Sequence, residues 1–282
     1  MKMWRTGKYM LKPYLNDPFA SRWLSSGNSS SALFEHAFSL EGQVFRNVKN
    51  RKTLRFFLEG KPYFVKLHRG VGWREIFKNL FQLKKPVLGA ANEYLAIRKF
   101  EALGLDTMKI AAFAERGLNP ASRESFLVTE ELCNMTSLED FCSGWKDNPP
   151  PSGLKHRLIS ELARICSVMH GAGVNHRDCY ICHFLLDRSS FEKGELRLFV
   201  LDLHRAEIRR RIPRRMQVKD LAGIFFSSMD LGLGKRDALR FIAAYSRGGA
   251  PVDKSLWRDV LNTAVKLYRK EFSRSPELPP AQ

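Results

Sequence analysis

Apolar residues change their spacing part-way along this 282-residue chain, and that change limits what it can build. From Gln43 the runs are short and strand-like: QVFRNV, then TLRFFLEG, a turn at Gly60-Lys61-Pro62, and YFVKLHR, which together predict a β-meander ending near Lys66. Further on, LKHRLISELARICSVMHGAG repeats at helical spacing, and the pattern stays helical from about Lys219 to Phe272. Between these lie two helical stretches, VGWREIFKNLFQLKK and AANEYLAIRKFEALGL, strand-like runs near Met108 to Ala114 and at SFLVTEEL, and a later hairpin of HFLLD with ELRLFVLDLHR. The prediction is an α+β chain of two lobes, β-rich first and mainly helical second. Residues 1–35, with the linker-like SSGNSSS, are expected to be a flexible arm, 36–132 the first lobe and 133–282 the second.

Two chemistries overlap in VNHRDCYICHFLL, at positions 174 to 186. C-x-x-C-H (Cys179, Cys182, His183) is an attachment pattern for a c-type haem, whereas H-R-D before a strand is the catalytic loop of a phosphotransferase. Covalent haem requires export and a second axial ligand. The start, MKMWRTGKYMLKPYL, lacks the continuous apolar stretch of a secretory signal, and no run nears the ~18 apolar residues that span a bilayer. The expectation is a cytoplasmic chain without haem. Its five cysteines are expected to be free thiols, and no second Cys/His pair completes a zinc set.

Four further residues fit phosphoryl transfer, which is mostly positioning and charge neutralisation. Lys66 ends a meander strand and would meet the phosphates; Glu93, on the next long helix, would hold that lysine. Asp178 of HRD would face the nucleophilic hydroxyl, and Asp202, at the end of the hairpin, would take Mg²⁺. Each alone is an ordinary surface charge. In this order, on these elements, they predict a kinase-like fold using ATP and Mg²⁺. Lys and Arg outnumber Asp and Glu by 47 to 29, a formal charge of +18, so the partner should be polyanionic: nucleic acid, an anionic membrane, or an acidic substrate or protein.

The segments RKTLRF, YFVKLHRG, PVLGA, NHRDCYICHFLL, DLHRA and PRR…KDL…FSSM resemble the lipopolysaccharide core heptose(I) kinase family, within the protein-kinase-like superfamily. The resemblance spans roughly Gly42 to Phe241. It implies ATP-dependent phosphorylation of the first heptose of the inner core, by a protein peripheral on the cytoplasmic face of the inner membrane. Nucleic acid is then not the expected partner. A small acidic protein such as acyl carrier protein suits the basic surface. Glu130 to Leu132 would be the hinge whose backbone meets adenine, giving Glu130 and Leu132 as nucleotide contacts beside Lys66 and Glu93. Asp220 would support the catalytic loop through backbone amides, or else cap a helix that it opens.

The chain departs from the protein-kinase pattern in three places. No G-x-G-x-x-G precedes Lys66, and RNVKNRK offers Asn and basic side chains in its place. DLH stands for DFG with no A-P-E after it, and His183 stands where a metal-binding Asn is usual. His183 therefore coordinates metal, bonds a phosphate, or orients Asp178. The alternatives in function are a protein kinase acting on Tyr, Ser or Thr, and a catalytically inactive scaffold that binds an anionic partner. RAEIRRRIPRRMQVK is expected to grip the anionic substrate through Arg205, Arg209, Arg210, Arg211, Arg214 and Arg215, with Lys219 beyond; the bland alternative is a solvated face. In the helix from Trp73, the stripe Trp73, Ile76, Phe77, Leu80 and Phe81 is either core or a membrane-facing surface flanked by Lys78, Lys84 and Lys85.

Overall fold

The computed structural model describes residues 4–6, 9–24, 30–48, 50–81, 88–246 and 252–277. Its chain forms two compact units, Met1–Arg98 with Met108–Leu132, and Lys99–Thr107 with Cys133–Gln282. The first is built on a sheet and the second mainly on helices, in agreement with the α+β expectation.

In the first unit, β1 (Trp4–Thr6) and β2 (Tyr9–Leu11) pair with each other, and β3 (Tyr14–Leu15), α1 (Phe19–Leu24) and α2 (Ser30–Phe38) follow. The meander is β4 (Gln43–Val48), β5 (Arg51–Leu58) and β6 (Lys61–Arg69). Next come α3 (Trp73–Phe81), α4 (Ala91–Ala102), β7 (Ile110–Arg116) and β8 (Glu124–Glu130). One antiparallel sheet has the order β3-β7-β8-β6-β5-β4. The β5–β6 turn is Glu59-Gly60, one residue earlier than the sequence suggests. Both have positive φ, as a two-residue type I′ hairpin requires, and Pro62 is thereby drawn into β6 opposite Phe57. Alternation along β6 buries Tyr63, Val65 and Leu67 on one face and leaves Lys66 on the other.

That buried face overturns the expected flexible arm. Phe19, Trp23, Leu33, Phe34 and Ala37, from α1 and α2, are buried in one cluster with Leu54, Phe56, Tyr63, Val65 and Val128 of the sheet. Phe19 meets Trp23 and Tyr63 edge to face, each at 5.0 Å. An otherwise bare apolar sheet face has to be covered, and these short helices cover it. Of the SSGNSSS linker, residues 25–29 lie outside the described residues and Ser30 begins α2.

Helix α3 also departs from a simple core reading. Ile76 is 5% exposed, but Trp73 is 50%, Phe77 51%, Leu80 51% and Phe81 87% exposed. Lys84 and Lys85 lie outside the described residues.

The second unit contains β9 (Met135–Ser137), α5 (Leu138–Cys142), α6 (Ser152–Gly171), β10 (Val174–Asn175), β11 (Phe184–Asp187), α7 (Arg188–Glu192), β12 (Leu198–Val200) and β13 (Glu207–Ile208). Helices α8 (Arg214–Ser227), α9 (Lys235–Tyr245) and α10 (Lys254–Phe272) complete it. Between β11 and β12 the short helix α7 is capped by Asp187, whose side chain accepts from the amides of Ser189 and Ser190. β12-β11-β9 form a small sheet, and β10 pairs with β13. Gly173 makes that last pairing possible: its φ is +77°, and a Cβ there would sit 1.9 Å from the carbonyl oxygen of Arg209. An apolar cavity of about 390 Å³ is lined by Leu138, Trp145, Leu162, Phe225 and Phe241 among others.

Phe19→Ala should lower stability by about 3–5 kcal/mol in chemical denaturation, as loss of a buried phenyl ring does. An unchanged midpoint would return the segment to a loose arm.

Candidate active site

Sheet alternation sets up the first group. Lys66 Nζ lies 2.6 Å from Glu93 Oε1, with Glu93 buried in the first turn of α4. The lysine stays partly open, and the acid behind it is sealed from water. The two residues thus form a cation held in place with donors to spare. The turn expected to replace a glycine-rich loop joins β4 to β5 through residues 49 and 50, of which Lys49 lies outside the described residues. At the expected hinge, the Glu130 amide donates to the Lys109 carbonyl at 2.9 Å and its carboxylate pairs with Lys61 at 2.7 Å. Leu132 lies just past the end of β8, half-buried.

The second group is organised by Asp220. Its carboxylate is buried, and Oδ2 accepts the N–H of His176 at 2.6 Å while Oδ1 accepts the N–H of Arg177 at 2.8 Å. Asp220 lies well inside α8, whose N-cap is Pro213, so the alternative that it opens and caps the helix is corrected. Gly223, one turn on, brings α8 onto the loop: a Cβ there would lie 2.4 Å from the Cys179 carbonyl oxygen. Arg177 takes a left-handed φ of 73° and its Nη1 donates to the buried Glu207 at 3.0 Å. An unfavourable backbone angle held by two buried acids fixes the residue that follows, Asp178.

The catalytic and metal loops are joined by histidines. His176 is buried, its pKa lowered by that burial, and its Nε2 lies 2.8 Å from the Leu201 carbonyl. A neutral ring facing a carbonyl must carry its proton there. His183 stacks on His176 and its Nδ1 donates to the Asp178 carbonyl at 2.7 Å, while the Leu201 N–H donates to the His183 carbonyl at 2.8 Å. Its pKa is pushed up to about 9, first by a hydrogen bond with Cys182, then by the Asp178 carbonyl and the nearby Asp202, against desolvation. Of the three expected roles, the bond from Nδ1 to the Asp178 carbonyl matches orientation of that loop, while Nε2 is left facing Asp202 Oδ2 at 3.6 Å.

Asp202 itself has a left-handed φ of 60° and is partly exposed; Oδ1 bonds His204 Nδ1, and Oδ2 lies 3.6 Å from His183 Nε2. Among the described residues there is no group of three or more His, Cys, Asp or Glu placed to hold a metal ion. Mg²⁺ does not need one. It keeps several waters and is commonly bound by one or two carboxylates plus substrate phosphates, which Asp202 fits.

The arginine run is not one cluster. Arg205 Nη1 lies 2.9 Å from both oxygens of Asp178. Arg209 pairs with Glu207, and Arg214 bonds Asp253, Ser255 and Asp259. Arg209 and Arg214 are paired within the protein and Arg205 gives one nitrogen to Asp178, so the expected six-arginine grip is divided. Arg210, Arg211 and Arg215 are exposed. Sequence reasoning missed Arg177, Glu207 and His204. The spacing of Asp220 and Gly223 in KDLAG, one helical turn apart, was the available sign of the α8 contact.

With this geometry established, the comparisons are informative. The pattern of the lipopolysaccharide kinase (Kdo/WaaP) family matches residues 35–245. A protein of Escherichia coli (strain K12), lipopolysaccharide core heptose(I) kinase WaaP, is 47% identical over 259 residues, 90% of this chain and 95% of its own. Its counterpart of the same name in Pseudomonas aeruginosa is 48% identical over 234 residues, 83% and 85% of the two chains. A solved structure, WaaP in complex with acyl carrier protein, is 40% identical, with TM-score 0.77 over 92% of this chain and all of that one.

Asp220→Ala would leave two buried amides without acceptors, at about 1–3 kcal/mol each. Faster hydrogen exchange at His176 and Arg177 and a loss of turnover of at least about 100-fold are expected, whereas exchange rates like those of wild type would show that the loop holds itself.

Proposed function

This chain belongs to the lipopolysaccharide kinase (Kdo/WaaP) family, and on that premise we propose that it transfers the γ-phosphoryl group of ATP to a hydroxyl of the first heptose of the lipopolysaccharide inner core. Likeness to the two heptose kinases over nearly their whole length is the observation that carries the acceptor. Each unit contributes a part of the chemistry. In the first, Lys66, kept in place by Glu93, meets phosphate oxygens. In the second, Asp178 aligns the sugar hydroxyl and takes its proton late, as a loose transition state requires. Asp202 holds Mg²⁺, which when bound neutralises charge on the phosphates. Arg210, Arg211 and Arg215, exposed and paired with no carboxylate among the described residues, are suited to the phosphates and acidic sugars of the inner core.

Two partners follow from the surface. No helix among the described residues is long and apolar enough to cross a membrane. The exposed ring face of α3, with Arg74 and Lys78 exposed beside it, suits an anionic leaflet, here the cytoplasmic face of the inner membrane. A small acidic protein of the acyl carrier type suits the +18 charge, and the similar solved structure holds one.

Asp178→Asn should reduce turnover of core lipopolysaccharide by at least about 10³-fold with an unchanged melting temperature, and wild-type activity would remove its role. Asp202→Ala should abolish the Mg²⁺ dependence of nucleotide binding measured by calorimetry; a retained dependence would place the metal elsewhere. Joint replacement of Trp73, Phe77 and Phe81 by Ser should weaken flotation with anionic vesicles by about tenfold or more, since each buried ring contributes to interfacial binding. Undiminished flotation would assign the face to another partner.

A further inference from the structure

The basic run predicts a substrate contact at Arg205, yet this guanidinium lies on the carboxylate of Asp178. The pair is not a two-nitrogen fork. In the same unit Arg197 meets Asp106 as a fork, Nε and Nη2 each taking one carboxylate oxygen at 3.2 and 2.7 Å. Arg205 instead places Nη1 alone 2.9 Å from both Oδ1 and Oδ2. No hydrogen bond from its Nε or Nη2 occurs among the described residues, and its side chain is 36% exposed against 18% for Asp178. One nitrogen holds the carboxylate, and the rest of the fork remains available next to it.

We propose that Arg205 is a catalytic residue: Nη1 fixes Asp178 as an oriented carboxylate, and the free N–H groups bind the phosphoryl group in transit. The inference rests on the reading of Asp178 given above. In the step, the sugar oxygen forms a bond to the γ-phosphorus and the bond from that phosphorus to the β,γ-bridging oxygen breaks, its electron pair leaving with ADP. The hydroxyl proton passes to Asp178. In a loose transition state negative charge is spread over the equatorial oxygens, and a guanidinium that already touches the nucleophile's partner is preset to meet it without reorganisation.

Arg205→Ala should lower kcat on core lipopolysaccharide about 10³-fold, the order found for arginines that stabilise phosphoryl transfer, with KM for ATP within about twofold. Guanidinium added to the assay should restore at least about tenfold of that loss and ethylammonium should not, because the planar fork is what is missing. Arg205→Lys should fall between the two. Arg205→Gln carries the same rescue measurement if the alanine variant melts early. A loss confined to KM for lipopolysaccharide would return Arg205 to the substrate grip and overturn the proposal. So would a kcat within tenfold of wild type, or a loss in a stably folded variant that guanidinium leaves unrepaired. Failure of the Asp178 reading is separately visible, as activity in Asp178→Asn.

Discussion

Most of the site's geometry depends on one buried carboxylate that accepts two successive backbone amides. Asp220 meets His176 N–H and Arg177 N–H with different oxygens, and burial makes each bond costly to lose. The acid is carried by α8, a helix of 14 residues packed against α10, so the loop inherits the rigidity of the helical unit. The left-handed angle at Arg177 is the consequence: a residue that would relax elsewhere is held at φ 73° from both sides, by Asp220 on its amide and Glu207 on its guanidinium. Asp178 thus starts from a fixed backbone, and Arg205 holds its carboxylate.

Charge in this unit is arranged in alternating signs. Glu207 lies between Arg177 and Arg209, Asp178 against Arg205, and Asp202 between His183 and His204. A strongly basic chain can therefore place basic side chains against its two working carboxylates and still offer arginines to an anionic acceptor. The protein is basic overall, but its acids are placed where they are needed, and few are buried without a cation or amide beside them.

Legibility in the sequence followed the distance over which each interaction acts. Lys66, Glu93, Asp178 and Asp202 could be read because alternation, helical spacing and a tripeptide are local signals. The partners of the arginines could not: Arg205 finds Asp178 27 positions away and Arg214 finds Asp253 39 positions away, so a run that looks uniform is divided by tertiary contacts. The first helices were hidden for a different reason. α1 has six residues, too few to show periodicity, and its aromatic residues gain their meaning only from a sheet face formed by residues 54 to 128. Glu130, at the expected hinge, bonds the Lys109 carbonyl through its amide and Lys61 through its carboxylate, partners distant in sequence.

The overlap of C-x-x-C-H with H-R-D resolves on the same physical grounds. Cys179 is buried, and a hydrogen bond with Cys166 together with that burial holds its thiol well above the ordinary range, so it is neither exposed nor readily ionised. Its carbonyl rests on Gly223. Cys182 bonds the ring of His183, and that ring is spent on the Asp178 carbonyl. A thioether at either cysteine would require opening the contact between the loop and α8, the same contact that aims Asp178. The spacing that resembles a haem site is therefore what a short loop needs to place one small buried side chain against a helix and one histidine under an aspartate.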